Sequence, residues 1–241
     1  QMYKRLIVIT LALFSICSIQ AQPPKTAQIV YQQGVDFMMK ENYQKAMISF
    51  FKAVSLYKQY DSALFQMGNI NAHFQSFDTA INFYKKALAA NPRYVEALIN
   101  LGGLYKNTQH DINSALGCYL KVIAIDSTNK DALVWVAWCY NNLKHYDKAI
   151  PYAIKALDLD NNLKGAYGEL GFAYKMSKRY AEAVEQFKKN IARSPNEIPM
   201  FYAGLCYIEL KDKDGATSMY NELVKISSKL ADGLKKKIDA M

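Results

Sequence analysis

Residues 61–94, DSALFQMGNINAHFQSFDTAINFYKKALAANPRY, carry a spacing of small and large side chains that recurs along most of the chain, and few folds accommodate such a period. Leu64, Met67, Gly68, Ala80, Tyr84, Ala87 and Pro92 hold the fourth, seventh, eighth, twentieth, twenty-fourth, twenty-seventh and thirty-second places. Residues 61–74 and 79–90 each set apolar side chains at helical spacing, with a turn over residues 75–78 between them. The unit is a hairpin of two short helices. Gly68 and Ala80 are small where the helices cross, since a larger side chain would push them apart. Asp78 is expected to cap the second helix; Asn91 and Pro92 end it, because proline disfavours helix in the residue before it.

The same template fits five further segments. Residues 27–60 show Val30, Gly34, Phe37, Ala46, Phe50 and Ala53 in register. Residues 95–129 show Leu98, Leu101, Gly102, Tyr105, Ala115 and Tyr119, with one extra residue expected in the turn at 108–111. Residues 130–163 show Leu133, Val136, Ala137, Tyr140, Ala149 and Ala156, with Ala153 where an aromatic is usual. Residues 164–196 show Tyr167, Leu170, Gly171, Tyr174, Ala183, Phe187 and Pro195, one residue short near Asn190. Residues 197–230 show Met200, Ala203, Gly204, Tyr207, Ala216, Tyr220 and Leu223. Six matches in tandem without a gap make the periodicity specific where one alone would not be.

This pattern resembles the tetratricopeptide repeat, and the resemblance covers residues 27–230. It implies an all-α fold, a right-handed superhelical α-solenoid in which each hairpin buries its apolar face on its neighbour. The last repeat then needs a cover. Residues 229–241, with Leu230, Leu234 and Ile238 at four-residue spacing, read as a C-terminal capping helix whose Lys235, Lys236 and Lys237 face solvent.

Ahead of the repeats, Lys4 and Arg5 precede an apolar run over residues 6–19, which predicts a signal peptide at 1–21 with cleavage after Ala21. The run falls short of the roughly twenty residues that a bilayer requires. Cys17 keeps a lipid anchor open, although Ile16 before it departs from the usual small residue. Residues 22–26 form a linker. Exported location, in the periplasm, at the outer membrane or secreted, is the expectation that follows.

The chain's net charge of +9 does not by itself signal nucleic acid, because the lysines are spread over every repeat instead of gathering with aromatics on one element. No cofactor or metal is expected: His73, His110 and His145 are isolated, and no glycine-rich phosphate loop occurs. Cys118, Cys139 and Cys206 read as buried thiols, with a Cys118–Cys139 bridge as the alternative. No constellation of catalytic residues is present, so the chain reads as a non-enzyme.

The resemblance implies that the second, fifth, ninth, twelfth and thirteenth places of each first helix line a concave groove. Tyr31, Phe65, Asn69, Ile99, Lys106, Asn107, Val134, Trp138, Asn141, Asn142, Phe172, Lys175 and Phe201 are the candidate partner-binding residues on that basis. Relatives that clamp a chaperone's terminal carboxylate use basic residues where this chain has Phe65, Asp131 and Trp135, so only Asn69 and Asn100 match. An apolar strand or amphipathic helix of a protein partner suits these residues better. The alternative is that the rings pack between repeats as core. Two uses stay open: a scaffold of an envelope assembly, or a periplasmic chaperone-like receptor for apolar segments of exported clients. Stacking on glycan is a third, weaker one.

Overall fold

The computed structural model describes residues 22–241; the segment 1–21 expected to be a signal peptide, with Cys17, lies outside the described residues. Among those described there are thirteen α-helices and no strand. They run α1 (Lys25–Met39), α2 (Tyr43–Leu56), α3 (Asp61–His73), α4 (Phe77–Ala90), α5 (Val95–Leu104), α6 (Ile112–Ile125), α7 (Lys130–Asn142), α8 (Tyr146–Leu159), α9 (Lys164–Met176), α10 (Tyr180–Arg193), α11 (Glu197–Glu209), α12 (Lys213–Lys225) and α13 (Leu230–Asp239). Each odd helix pairs with the next to give six hairpins, each hairpin packs on its neighbours, and α13 closes against α11 and α12. The architecture is an α-solenoid.

A recurrent pairing sets how closely the two helices of a hairpin approach. A Cβ on Gly34, Gly68 or Gly171 would fall 2.6, 2.5 or 2.7 Å from the ring of Phe50, Tyr84 or Phe187, respectively. Gly102 faces Tyr119 in the same way at 3.0 Å. The fourth hairpin solves the same volume problem with two methyl groups, Ala137 and Ala153, both fully buried. At the end of the stack Leu234 of α13 takes the place over Gly204, with Cδ2 at 2.5 Å from such a Cβ.

The turn inside each hairpin has one construction. Glu41, Gln75, His110, Lys144, Lys178 and Lys211 all adopt left-handed backbone, with φ between 52° and 62°. The next amide reaches back over the end of the first helix, as in Asn42 N to Phe37 O (2.9 Å), Ser76 N to Asn71 O (2.8 Å) and His145 N to Tyr140 O (2.8 Å). These are Schellman closures made without glycine.

The third hairpin departs from this. Its extra residue is absorbed before the turn, in a π-helical segment Tyr105–Gln109, and Asp111 N reaches Tyr105 O across six residues. The missing residue of the fifth hairpin is not near Asn190: α10 keeps the fourteen residues of α8, and the loss falls in the connection over residues 194–196. Two further boundaries need correction. Lys25 and Thr26, expected in the linker, begin α1, which starts after Pro24. Asp78 is not a cap: α4 starts at Phe77 with Ser76 at its N-cap, and Asp78 Oδ1 accepts from Gln109 Nε2 of the next hairpin at 3.1 Å. The carboxylate still sits favourably in the first helical turn.

Candidate functional site

The first helices of successive hairpins, α3, α5, α7, α9 and α11, build one face with two hollows. The larger in aromatic content lies between α7, α9 and α11, with a volume near 490 Å³. Trp138, Tyr146, Phe172 and Tyr202 contribute its rings, and Asn141, Asn142, Gly168, Glu169 and Asn190 contribute polar and backbone surface. Phe172 meets Tyr202 edge-on at 5.6 Å and Tyr146 at 6.3 Å. Lys175 Nζ stands 5.4 Å from the Tyr202 ring centre.

Beneath these rings is a buried polar contact that ties α7 to α9. Asn141, only 3% exposed, donates from Nδ2 to Glu169 Oε2 at 2.7 Å and to the Glu169 carbonyl oxygen at 3.0 Å. Its Oδ1 is buried without a hydrogen-bond partner. An acceptor of this kind costs about 1–3 kcal/mol unless a bound group supplies it with a donor. Burial pushes the Glu169 carboxyl up from its ordinary range, opposed by the Asn141 amide and by the charge of Lys106.

The second hollow lies between α3, α5 and α7 and is lined by Asn69, His73, Ile99, Gly103, Lys106, Asn107 and Trp135. The π-helical segment carries Lys106 here, with Nζ 3.9 Å from the Trp135 ring centre and 5.1 Å from that of Trp138. Asn69 is occupied by its neighbours: its Oδ1 accepts from Tyr84 Oη at 2.8 Å and from Asn100 Nδ2 at 3.0 Å. The two asparagines that match the carboxylate-clamp pattern therefore bind each other and Tyr84.

Eight of the thirteen candidate residues fall in the two hollows. Asn69, Ile99, Lys106 and Asn107 line the second hollow, and Trp138, Asn141, Asn142 and Phe172 line the first. Lys175 lies beside the first, over Tyr202. The other four pack at junctions between repeats. Phe65 is 9% exposed, against Tyr94 at 4.9 Å and Tyr84 at 5.7 Å. Tyr31 rests on Tyr60 and Phe50 at 5.0 and 5.6 Å. Val134 packs against the backbone of Gly165, with Cγ1 3.3 Å from where a Cβ would stand. Phe201 is partly buried on the cluster that Met200, Leu223 and Leu234 form. Of these four, Phe65 is buried between hairpins, whereas Tyr31, Val134 and Phe201 are half-buried against their neighbours.

What replaces them is the sixth place. Asn100, Trp135, Glu169 and Tyr202 hold that place in hairpins three to six, and all four line a hollow. In the sequence the row reads Gln32, Gln66, Asn100, Trp135, Glu169 and Tyr202, every one with a hydrogen-bonding group. A row of polar residues recurring beside an apolar seam was the available signal.

Cys118, Cys139 and Cys206 are free and buried. Burial raises their thiols to about 11, 12 and 11. No cluster of metal ligands occurs among the described residues, and none of their helices is long and apolar enough to cross a membrane.

A stack of helical hairpins with a pocketed inner face defines a class of α-solenoid in which successive first helices share a surface. Family models described as tetratricopeptide repeat match residues 61–94, 118–150 and 200–228. The chain is a tetratricopeptide-repeat protein, a fold typical of surfaces that bind proteins or peptides. It is 32% identical over 107 residues to the uncharacterized protein ycf37 of Guillardia theta, covering 42% of this chain and 60% of that one. It thus spans less than two thirds of that relative. The crystal structure of MamA superposes with a TM-score of 0.66 at 25% identity, over 71% of this chain and 94% of that one. That of YrrB, described as having an unusual peptide-binding site, gives 0.69 at 22% identity, over 78% and 97%.

Proposed function

We propose that this chain is a non-catalytic interaction scaffold of the cell envelope, and that its concave face holds a segment of a partner protein. The observation that supports this most directly is the hollow at α7, α9 and α11. There Trp138, Phe172 and Tyr202 all line a cavity near 490 Å³, although Phe172 and Tyr202 also touch edge-on. Rings held on rigid helices give contact area for little loss of side-chain freedom. The apolar run at residues 6–19 supports an exported setting.

A photo-crosslinking amino acid placed at position 172 should capture a partner from intact cells, and the same group at Lys155 on the exposed side of α8 should not. Equal capture from both positions, or none from 172, would defeat the proposal. A single crosslinked species favours a scaffold; a broad set favours a chaperone-like receptor.

A further inference from the structure

In the hollow between α7, α9 and α11 every asparagine amide already donates to the protein, and Asn141 has committed both of its N–H groups. Both Nδ2 contacts of Asn141 go to Glu169. Asn142 gives its Nδ2 to the Trp138 carbonyl at 2.8 Å, and Asn190 gives its own to the Lys164 carbonyl at 3.0 Å. The acceptors here are the carboxylate of Glu169 and the partnerless Oδ1 of Asn141, a residue only 3% exposed. Around them stand the faces and edges of Trp138, Tyr146, Phe172 and Tyr202. These rings already attract cations: Lys106 lies over Trp138 and Lys175 over Tyr202. Among the lining residues the one cation is Lys144, at the start of the turn beyond α7.

Acceptors below and π-faces around call for a group that is donor-rich, flat and weakly hydrated. A guanidinium meets all three conditions, and an ammonium, compact and strongly hydrated, meets only the first. Taking the concave face as the partner-binding surface, as above, we propose that this hollow receives an arginine side chain of the bound segment. Its N–H groups donate to the Glu169 carboxylate and the Asn141 amide oxygen, and its plane lies against the rings. The contact ends the isolation of Asn141 Oδ1 and adds a directly hydrogen-bonded opposite charge to the distant one that Lys106 gives Glu169.

The chain's two tryptophans make the site readable. In a Trp135→Phe background, fluorescence reports on Trp138 alone. End-blocked nine-residue peptides, otherwise uncharged and differing only in a central Arg, Lys, Gln or Glu, are titrated into this protein and into the same protein carrying Glu169→Gln. The arginine peptide should bind about tenfold or more tightly than the glutamine peptide, the scale of one charge-assisted contact. Glu169→Gln should bring the two within about threefold, with the melting curve unchanged since glutamine keeps an acceptor for Asn141. Equal binding of all four peptides, an arginine preference that survives Glu169→Gln, or binding of none would overturn the proposal. So would a preference for glutamate, which would assign the site to Lys106, Lys144 and Lys175. The crosslink from position 172 judges the concave face independently, so a failure of the arginine preference leaves that reading standing or falling by itself.

Discussion

Tyr84 lies where a side chain on Gly68 would have to go, its Cε1 only 2.5 Å from the position of a Cβ. The ring has nowhere to retreat, because it is 2% exposed and its hydroxyl is held by Asn69. Gly68→Ala should therefore destabilise by about 1–3 kcal/mol, as overpacking of a closed core does. The measurement is the urea midpoint by far-UV circular dichroism. The fourth hairpin offers the converse. Ala153→Phe alone should be as damaging, and adding Ala137→Gly should recover most of the loss, because the pair then reproduces the Gly34–Phe50 arrangement.

How far such relations can be read without coordinates depends on what the residues face. The hairpin period was legible because Gly68, Ala80 and Tyr84 answer to contacts within one hairpin, and those recur at fixed spacing. Phe65 and Trp138 were not separable, since the fifth and ninth places look alike in composition and only the angle between neighbouring hairpins sends one ring into the junction and leaves the other at the hollow. Glu169 was missed for a similar reason: a lone carboxylate within a helix usually faces water, and its approach to Asn141 crosses between repeats. Counting residues also located the deletion of the fifth hairpin wrongly. A helix of fixed length passes the gap to its loop.

Trp138 stands against Lys106 and edge-on to Trp135 at 6.4 Å, only partly buried. Trp138→Ala should abolish or strongly reduce partner capture while lowering the melting temperature by only a few degrees, the shift expected for about 1 kcal/mol in a chain of this size. A collapse of helical content would return this ring to the core.

Lys178 and Gln75 hold φ at 60° and 57° in hairpin turns, a conformation that a Cβ disfavours. Glycine at either position removes that strain at some cost in unfolded-chain entropy. Each of Lys178→Gly and Gln75→Gly should stabilise by about 0.5–1 kcal/mol, and the double variant should be additive, since they lie in separate hairpins. Valine at position 178 should destabilise. Urea midpoints decide all four.

The three thiols give the chain an alkaline limit. Burial holds Cys118, Cys139 and Cys206 at about 11, 12 and 11, above the ordinary thiol value, so they stay protonated in the fold while an unfolded chain releases their protons above about pH 8.5. Between that pH and about 11 the unfolded state binds fewer protons. Their contribution is complete below this window and is lost as pH rises through it. The urea midpoint should fall across pH 8.5–11, and a variant with alanine at all three positions should fall less steeply. A parallel decline in both proteins would assign the effect to the tyrosines, among which Tyr94 is raised to about 12, chiefly by burial.

Leu234 joins the capping helix to the last hairpin, fully buried with Cδ2 over Gly204. Ala231 and Ile238 bury the same face of α13, while Met200 and Leu223 receive it from beneath. Because a hairpin in a solenoid is stabilised mainly by its neighbour, removing this contact weakens the end of the stack before its middle. Leu234→Ala should cost about 2–5 kcal/mol locally. Amide exchange should accelerate first in α11 to α13, with α3 to α8 changing little. Uniform acceleration along the chain would mean that the stack unfolds as one unit, with the cap supporting every hairpin instead of the last.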